Sequence, residues 1–376
     1  MIAVSEPLLD GNEKAYLNEC IDSGWISSEG PFVERFEKAF AGFIGLEHGV
    51  AVTNGTAALE TALFAIGIGE GDEVIMPSFT IISCAIACLR LGAKPVLVDI
   101  DPETWTMKTE QIECKITNKT KAIMAVHIYG HPVDMDPLLR IKEKYGIKII
   151  EDNAETHGAE YYSKSSGKWL KCGAISDISA TSFYANKIVT TGEGGMVLTG
   201  NHEYMERARS YRNLCFKPEK RFYHSELGYN FRMTNLQAAV GLAQVEQIER
   251  FIAIKRDLGN YYRSKFAGKA GIRFMIEKEW AKSVYWMYSI ELDPKLSVNA
   301  EQLAKYLKDK GVASRPFFIG MHRQPILRSM GLFEGETYPN SDFASDYGLY
   351  LPSGLTLKKT DIDEIAGIID GFIGSI

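Results

Sequence analysis

Short apolar runs alternate with helical patterns over the first two-thirds of the chain. GVAVT (49–53), EVIMP (73–77), KPVLVDI (94–100), KAIMAVHI (121–128) and IKIIED (147–152) read as strands. Helical stretches lie between them, over about 56–66 and 81–91 among others. The strands are apolar at nearly every position rather than at every second one. That is the pattern of a mostly parallel sheet covered on both faces. Ligands of such sheets gather at the carboxyl ends of the strands. The texture changes after Arg232. Thr234 followed by Gln237 is a capping-box signature and predicts a helix running to about Tyr262. From about Gly271, strand-like pieces such as YWMYSIEL mix with two marked helices. Asn299 and Gln302 would cap the first, ending near Gly311. Thr360 and Asp363 would cap the last, which carries Ile362, Ile365, Ile369, Phe372 and Ile373 on one stripe. The expectation is an α/β protein with a large domain over 1–245 and a smaller α+β domain over 246–376.

Composition narrows the field without naming a chemistry. The chain has 376 residues, 45% of them hydrophobic, enough for a large core in two domains. Its net charge of −6 gives no electrostatic footprint for nucleic acid. No apolar run approaches the roughly 18–20 residues of a membrane span, and the N-terminus lacks the pattern of a signal peptide. The six cysteines are scattered, with no CxxC pair, and no metal site is expected. Cys84 and Cys88 read as core packing one helical turn apart. The simplest account is a reduced, cytoplasmic protein.

Three strand ends carry candidate chemistry. TNGTAAL (53–59) places Asn54 and Gly55 between a strand and a helix. Free amides there suit a phosphate, though the same residues also make a plain turn. IIEDNAETHG (149–158) puts Glu151 and Asp152 at a strand end, where a carboxylate could either cap the next helix or hold a protonated ring nitrogen. His157 nearby reads as structural. SFYANKIVTTGEGG (182–195) carries Lys187 out of an apolar run. A desolvated amine there is a nucleophile for carbonyls. A Schiff-base lysine, a carboxylate for a pyridinium and a phosphate cup together are the equipment of pyridoxal phosphate chemistry. GIGEGDE (67–73) precedes a strand rather than following one, so it is a loop and not a dinucleotide-binding turn.

These residues and their surroundings resemble the DegT/DnrJ/StrS family of sugar aminotransferases. The resemblance runs through GWISSEG (24–30), TNGTAALETAL (53–63), GDEVIMPSFT (71–80), HIYGHPVDMDPL (127–138), EDNAETHGA (151–159), SFYANKIVTTGEGGM (182–196), GYNFRMTNLQAAVGLAQVE (228–246) and SRPFFIGMH (314–322). It implies the fold-type I aminotransferase architecture and pyridoxal 5'-phosphate as cofactor, with pyridoxamine phosphate formed in turn. Lys187 would bond to the cofactor aldehyde, Asp152 would pair with the ring nitrogen and Glu155 would lie against the ring. Gly55, Thr56, Ala57 and Ser182 would hold the phosphate, and Asn230 would reach it from the partner of a homodimer. Trp25, Ser27, Arg232, Arg315 and His322 would contact the substrate, with Lys217, Lys220 and Arg221 as further cations near a diphosphate. L-glutamate would donate the amino group, leaving as 2-oxoglutarate. The acceptor implied first is a GDP-linked 4-keto-6-deoxyhexose, GDP-4-keto-6-deoxymannose. A dTDP- or UDP-linked sugar and a non-catalytic, cofactor-binding regulator are the alternatives. The family also holds dehydratases with His in place of the lysine, so Lys187 implies transamination. Ile81, Asn153, Tyr184 and Ala185 depart from the common family pattern.

Overall fold

The structure is a computed structural model, and it describes residues 1–217, 220 and 222–376. Seven strands build its main sheet: β1 (His48–Val52), β2 (Glu73–Pro77), β3 (Lys94–Val98), β4 (Thr120–Val126), β5 (Lys148–Asp152), β6 (Ile178–Ser182) and β7 (Gly195–Thr199). Their order is β1-β7-β6-β5-β4-β2-β3. Neighbours from β6 to β3 run parallel, while β7 is antiparallel to both β6 and β1. All five strands expected from the sequence are present. Two of them end two residues earlier than read, at Val98 and Val126.

Near-continuous apolar strands follow from the two covered faces. Alternate side chains of one strand enter different cores. Val50 and Val52 pack with the helix Gly55–Ala65, whereas Ala51 between them joins Phe36, Phe40 and Phe183 on the other face. Ala122, Met124 and Val126 likewise separate from Ile123 and Ala125.

The Thr234–Gln237 capping box forms, but the helix it opens ends at Val245 and a second runs Ile248–Phe266. The break at Glu246–Gln247 was not legible, because the amphipathic pattern continues across it. The Asn299–Gln302 box also forms, on Ala300–Asp309. The last helix, Lys359–Ile373, starts earlier than read. Thr360 is already inside it, and the carboxylate of Asp361, not Asp363, accepts the Lys358 N–H at 2.8 Å. Of its expected stripe, Ile362, Ile365, Ile369 and Phe372 are buried and Ile373 is half-buried. Each buried side chain contributes about 1.5–3 kcal/mol.

The C-terminal part carries a four-stranded antiparallel sheet ordered Ile272–Phe274, Ser289–Leu292, Gly348–Tyr350, Arg315–Pro316. It is stitched to the first residues of the chain. Ile2 bridges Val312, and Ser353 N–H donates to Val4 C=O. Ala281–Lys282 in turn pairs with Glu160–Ser163. One hydrophobic cluster runs from Phe32 and Phe36 through Phe251 to Ile369.

Candidate active site

The carboxyl ends of β4, β5 and β6 and the start of the helix after β1 surround a cavity of about 320 Å³. Gly55, Thr56, Asp152, Glu155, Ser182 and Lys187 all line it. The chain can close this tightly because position 55 is glycine. A Cβ there would lie 2.8 Å from Ser182 Cβ. Asn54 caps the helix by accepting the Ala57 N–H at 2.9 Å. That changes the expected phosphate cup. The Ala57 amide is already engaged and does not line the cavity, so Gly55 and Thr56 are left to offer theirs. The Thr56 hydroxyl donates to Ser83 at 2.9 Å, and Ser182 Oγ accepts the Tyr184 N–H at 3.3 Å.

Asp152 ends β5, is 4% exposed, and accepts from Ala154 N–H at 3.1 Å and from the Cys84 thiol at 3.4 Å. Burial lifts its carboxyl above the ordinary value. Lys187 follows β6 on a tight loop, with its N–H donating to Tyr184 C=O at 2.9 Å. Its Nζ lies 3.6 Å from Glu155 Oε1 and 3.7 Å from the centre of the Trp286 ring. Burial lowers its pKa, against the opposing pull of Glu155 and Asp152. The amine is therefore less often protonated than a surface lysine, and its free lone pair can attack a carbonyl. Glu155 accepts the Tyr129 N–H at 2.8 Å, and burial pushes its carboxyl up to about 7.

The raised value has a sign in stability. Between its ordinary 4.5 and about 7, the folded cofactor-free protein holds a proton that the unfolded chain releases. Stability therefore falls as pH rises across that window. Thermal melting of cofactor-free protein is expected to show this slope, flattened in Glu155→Gln. Identical slopes in the two proteins would contradict the burial.

His157 is structural, as read. It bonds Thr181 Oγ1 at 2.8 Å, accepts the Val189 N–H at 3.3 Å, and burial pushes it down to about 3. Asn153 is buried, with its N–H on Ala180 C=O at 3.0 Å, and Ile81 lines the cavity at 42% exposure. Three cavity residues come from the distant C-terminal part: Phe318, from the SRPFFIGMH segment expected at the pocket, and Trp286 and Tyr350, which were not expected there.

The expected substrate residues lie elsewhere in this chain. Trp25 and Ser27 are exposed, and their carbonyls accept from Asn235 at 2.8 and 2.6 Å. Arg232 bonds Ser28 at 3.2 Å and Asn213 at 2.5 Å. Arg315 is exposed on the strand beside Tyr350. His322 is buried and held by Asp342 at 2.9 Å, packed against Tyr338 and outside the cavity lining. Asn230 is exposed, bridged to Asn213, and also outside it. Lys217 pairs with Glu226 at 3.9 Å, and Arg221 lies outside the described residues.

Comparison with known proteins places this geometry. Residues 7–370 match the DegT/DnrJ/EryC1/StrS aminotransferase family. The chain belongs to this family. It is 39% identical to GDP-perosamine synthase of Vibrio cholerae, covering 100% of both chains. It is 41% identical to the same-named protein of Caulobacter vibrioides, over 98% of this chain and 97% of that one. The crystal structure of DesV from S. venezuelae superposes with a TM-score of 0.88 at 30% identity, over 96% and 94% of the two chains. The cofactor is pyridoxal 5'-phosphate, and the residues present fit it. Asp152 offers a buried carboxylate to a ring cation, Gly55 clears space for a phosphate beside Ser182, and Lys187 supplies a desolvated amine.

Proposed function

We propose that this aminotransferase moves the amino group of L-glutamate to carbon 4 of GDP-4-keto-6-deoxymannose, giving GDP-perosamine and 2-oxoglutarate. The observation that carries the choice of sugar is the end-to-end similarity to GDP-perosamine synthases at 39% and 41% identity. When bound, pyridoxal phosphate supplies an electron sink for the charge that builds as a proton leaves carbon.

The chain's own residues do the rest. Lys187 would hold the cofactor aldehyde, and its free amine would carry the proton between carbons. Its lowered pKa keeps a share of the amine neutral for that task. Asp152 holds the ring nitrogen in its charged form. Glu155 faces the Lys187 amine and keeps it directed into the cavity. The Gly55 and Thr56 amides at a helix N-terminus, with the Ser182 hydroxyl, take the phosphate. Val126, Leu59, Trp286 and Phe318 wall the site and limit water.

A homodimer is part of the proposal, with Asn230 of one subunit reaching the phosphate of the other. Asn230 stands on the surface and away from its own cavity, which fits that role. The nucleotide contacts would come from Arg232 and Arg315 once both chains are assembled. No described helix is long and apolar enough to cross a membrane, and the six cysteines are free thiols, which fits a reducing cytoplasm.

The test is a transamination assay with glutamate and three acceptors in parallel: the GDP-, dTDP- and UDP-linked 4-keto-6-deoxy sugars. The GDP sugar is expected to give the highest kcat/KM. A higher value with the dTDP or UDP sugar would replace the substrate and keep the chemistry. No 2-oxoglutarate with any of them would favour a protein that binds the cofactor without turnover.

A further inference from the structure

Trp286 walls the cavity, and excluding water is the only part given to it so far. Its ring centre lies 3.7 Å from Lys187 Nζ. Its indole N–H donates at 2.8 Å to the carbonyl of Asn186, the residue just before that lysine. The indole therefore grips both ends of the lysine unit, its backbone and its amine.

The backbone of Trp286 is anchored from behind. Its carbonyl accepts from Lys255 Nζ at 2.7 Å, and the same nitrogen also donates to Ser353 C=O. Lys255 is 4% exposed, on the helix Ile248–Phe266. The Trp286 ring lies parallel to Tyr129, 11° between planes and 6.2 Å between centres. Tyr129 also donates its N–H to Glu155, the other group facing the amine. Gly130 allows this approach. With φ at +104°, a Cβ there would stand 2.6 Å from Trp286 N and 2.7 Å from Tyr285 N.

We propose that the indole face of Trp286 is the resting seat of the Lys187 amine whenever that amine is not bonded to the cofactor. On this account Trp286 is a positioning residue. A π face attracts an ammonium and tolerates a neutral amine, so it holds the group near the reacting carbons without locking its protonation state. The amine then starts each proton transfer from one place rather than from a spread of rotamers. The inference rests on Lys187 being the proton carrier.

Fluorescence of the full-length protein freed of cofactor tests the seat without using activity. Lys187→Met removes a cation from the indole face and is expected to shift the tryptophan emission. In a Trp286→Phe background the same substitution is expected to change nothing, although the rest of the five tryptophans remain. A shift that persists in that background, or no shift at all, overturns the seat. In the cofactor-loaded enzyme, Trp286→Leu is expected to lower kcat about 10²-fold with KM for glutamate unchanged. Trp286→Phe keeps an aromatic face and should lose less than about tenfold. A Leu variant with full kcat overturns the positioning role. If Lys187 is not the proton carrier, Lys187→Met stays active while the emission shift stands, which separates the two failures. Should the Leu variant fail to fold, the emission comparison decides alone.

Discussion

Turnover of the Lys187→Ala protein is expected to fall by at least about 10²–10⁴, the worth of one well-placed proton-transfer group. The physical reason is local. Lys187 is the only lysine among the described residues lining the cavity. Alanine removes the amine that burial makes a usable base, and leaves Glu155 without the cation at 3.6 Å. The long-wavelength absorbance of the lysine-bound cofactor is expected to vanish with it. Steady-state kinetics with glutamate and the keto sugar, read beside an absorbance scan, check both parts. Near-normal turnover would mean that another base moves the proton.

Asp152→Asn is expected to cost at least about 10²-fold in kcat, the usual loss on removing one preorganised electrostatic partner. The amide keeps the size of the carboxyl and can still accept the Ala154 N–H, so packing at the end of β5 survives. What disappears is the negative charge, in a place where water cannot replace it. A ring nitrogen facing a neutral amide loses its proton more readily and accepts electrons less well. Glu155→Gln should cost about tenfold, because Glu155 already carries a proton part of the time near neutral pH. The ratio of the two losses, measured under one set of conditions, is the informative quantity. Equal losses would mean that the ring partner is wrongly assigned.

Much of this site was legible because it is local in sequence. Asp152 and Lys187 stand where apolar strands stop, and Gly55 stands where a strand must turn into a helix. Period and punctuation along the chain locate such positions. Phe318 lay in a motif of the family resemblance, but Trp286 and Tyr350 carried no such mark. All three reach the cavity from the C-terminal sheet and its flanking loops, and in sequence Trp286 and Tyr350 look like ordinary core aromatics. That Asn54 engages the Ala57 amide was hidden for a related reason. The TNG turn shows that a helix starts, but whether its Asn caps the helix or turns away depends on a side-chain rotamer. For His322 the sequence left open a sugar contact or packing in the small domain. It sits in a motif of the family resemblance, yet Asp342 and Tyr338 hold it in the packing. The Glu246–Gln247 break and the early start of the last helix were hidden because apolar periodicity passes through both.

The central claim is that one buried amine forms the bond to the cofactor. Borohydride reduction of the cofactor-loaded protein, followed by peptide mass mapping, tests it directly. The reduced adduct is expected on the peptide carrying Lys187. Its appearance instead on Lys255, whose amine burial also pushes down to about 7, or on no lysine at all, would contradict the account.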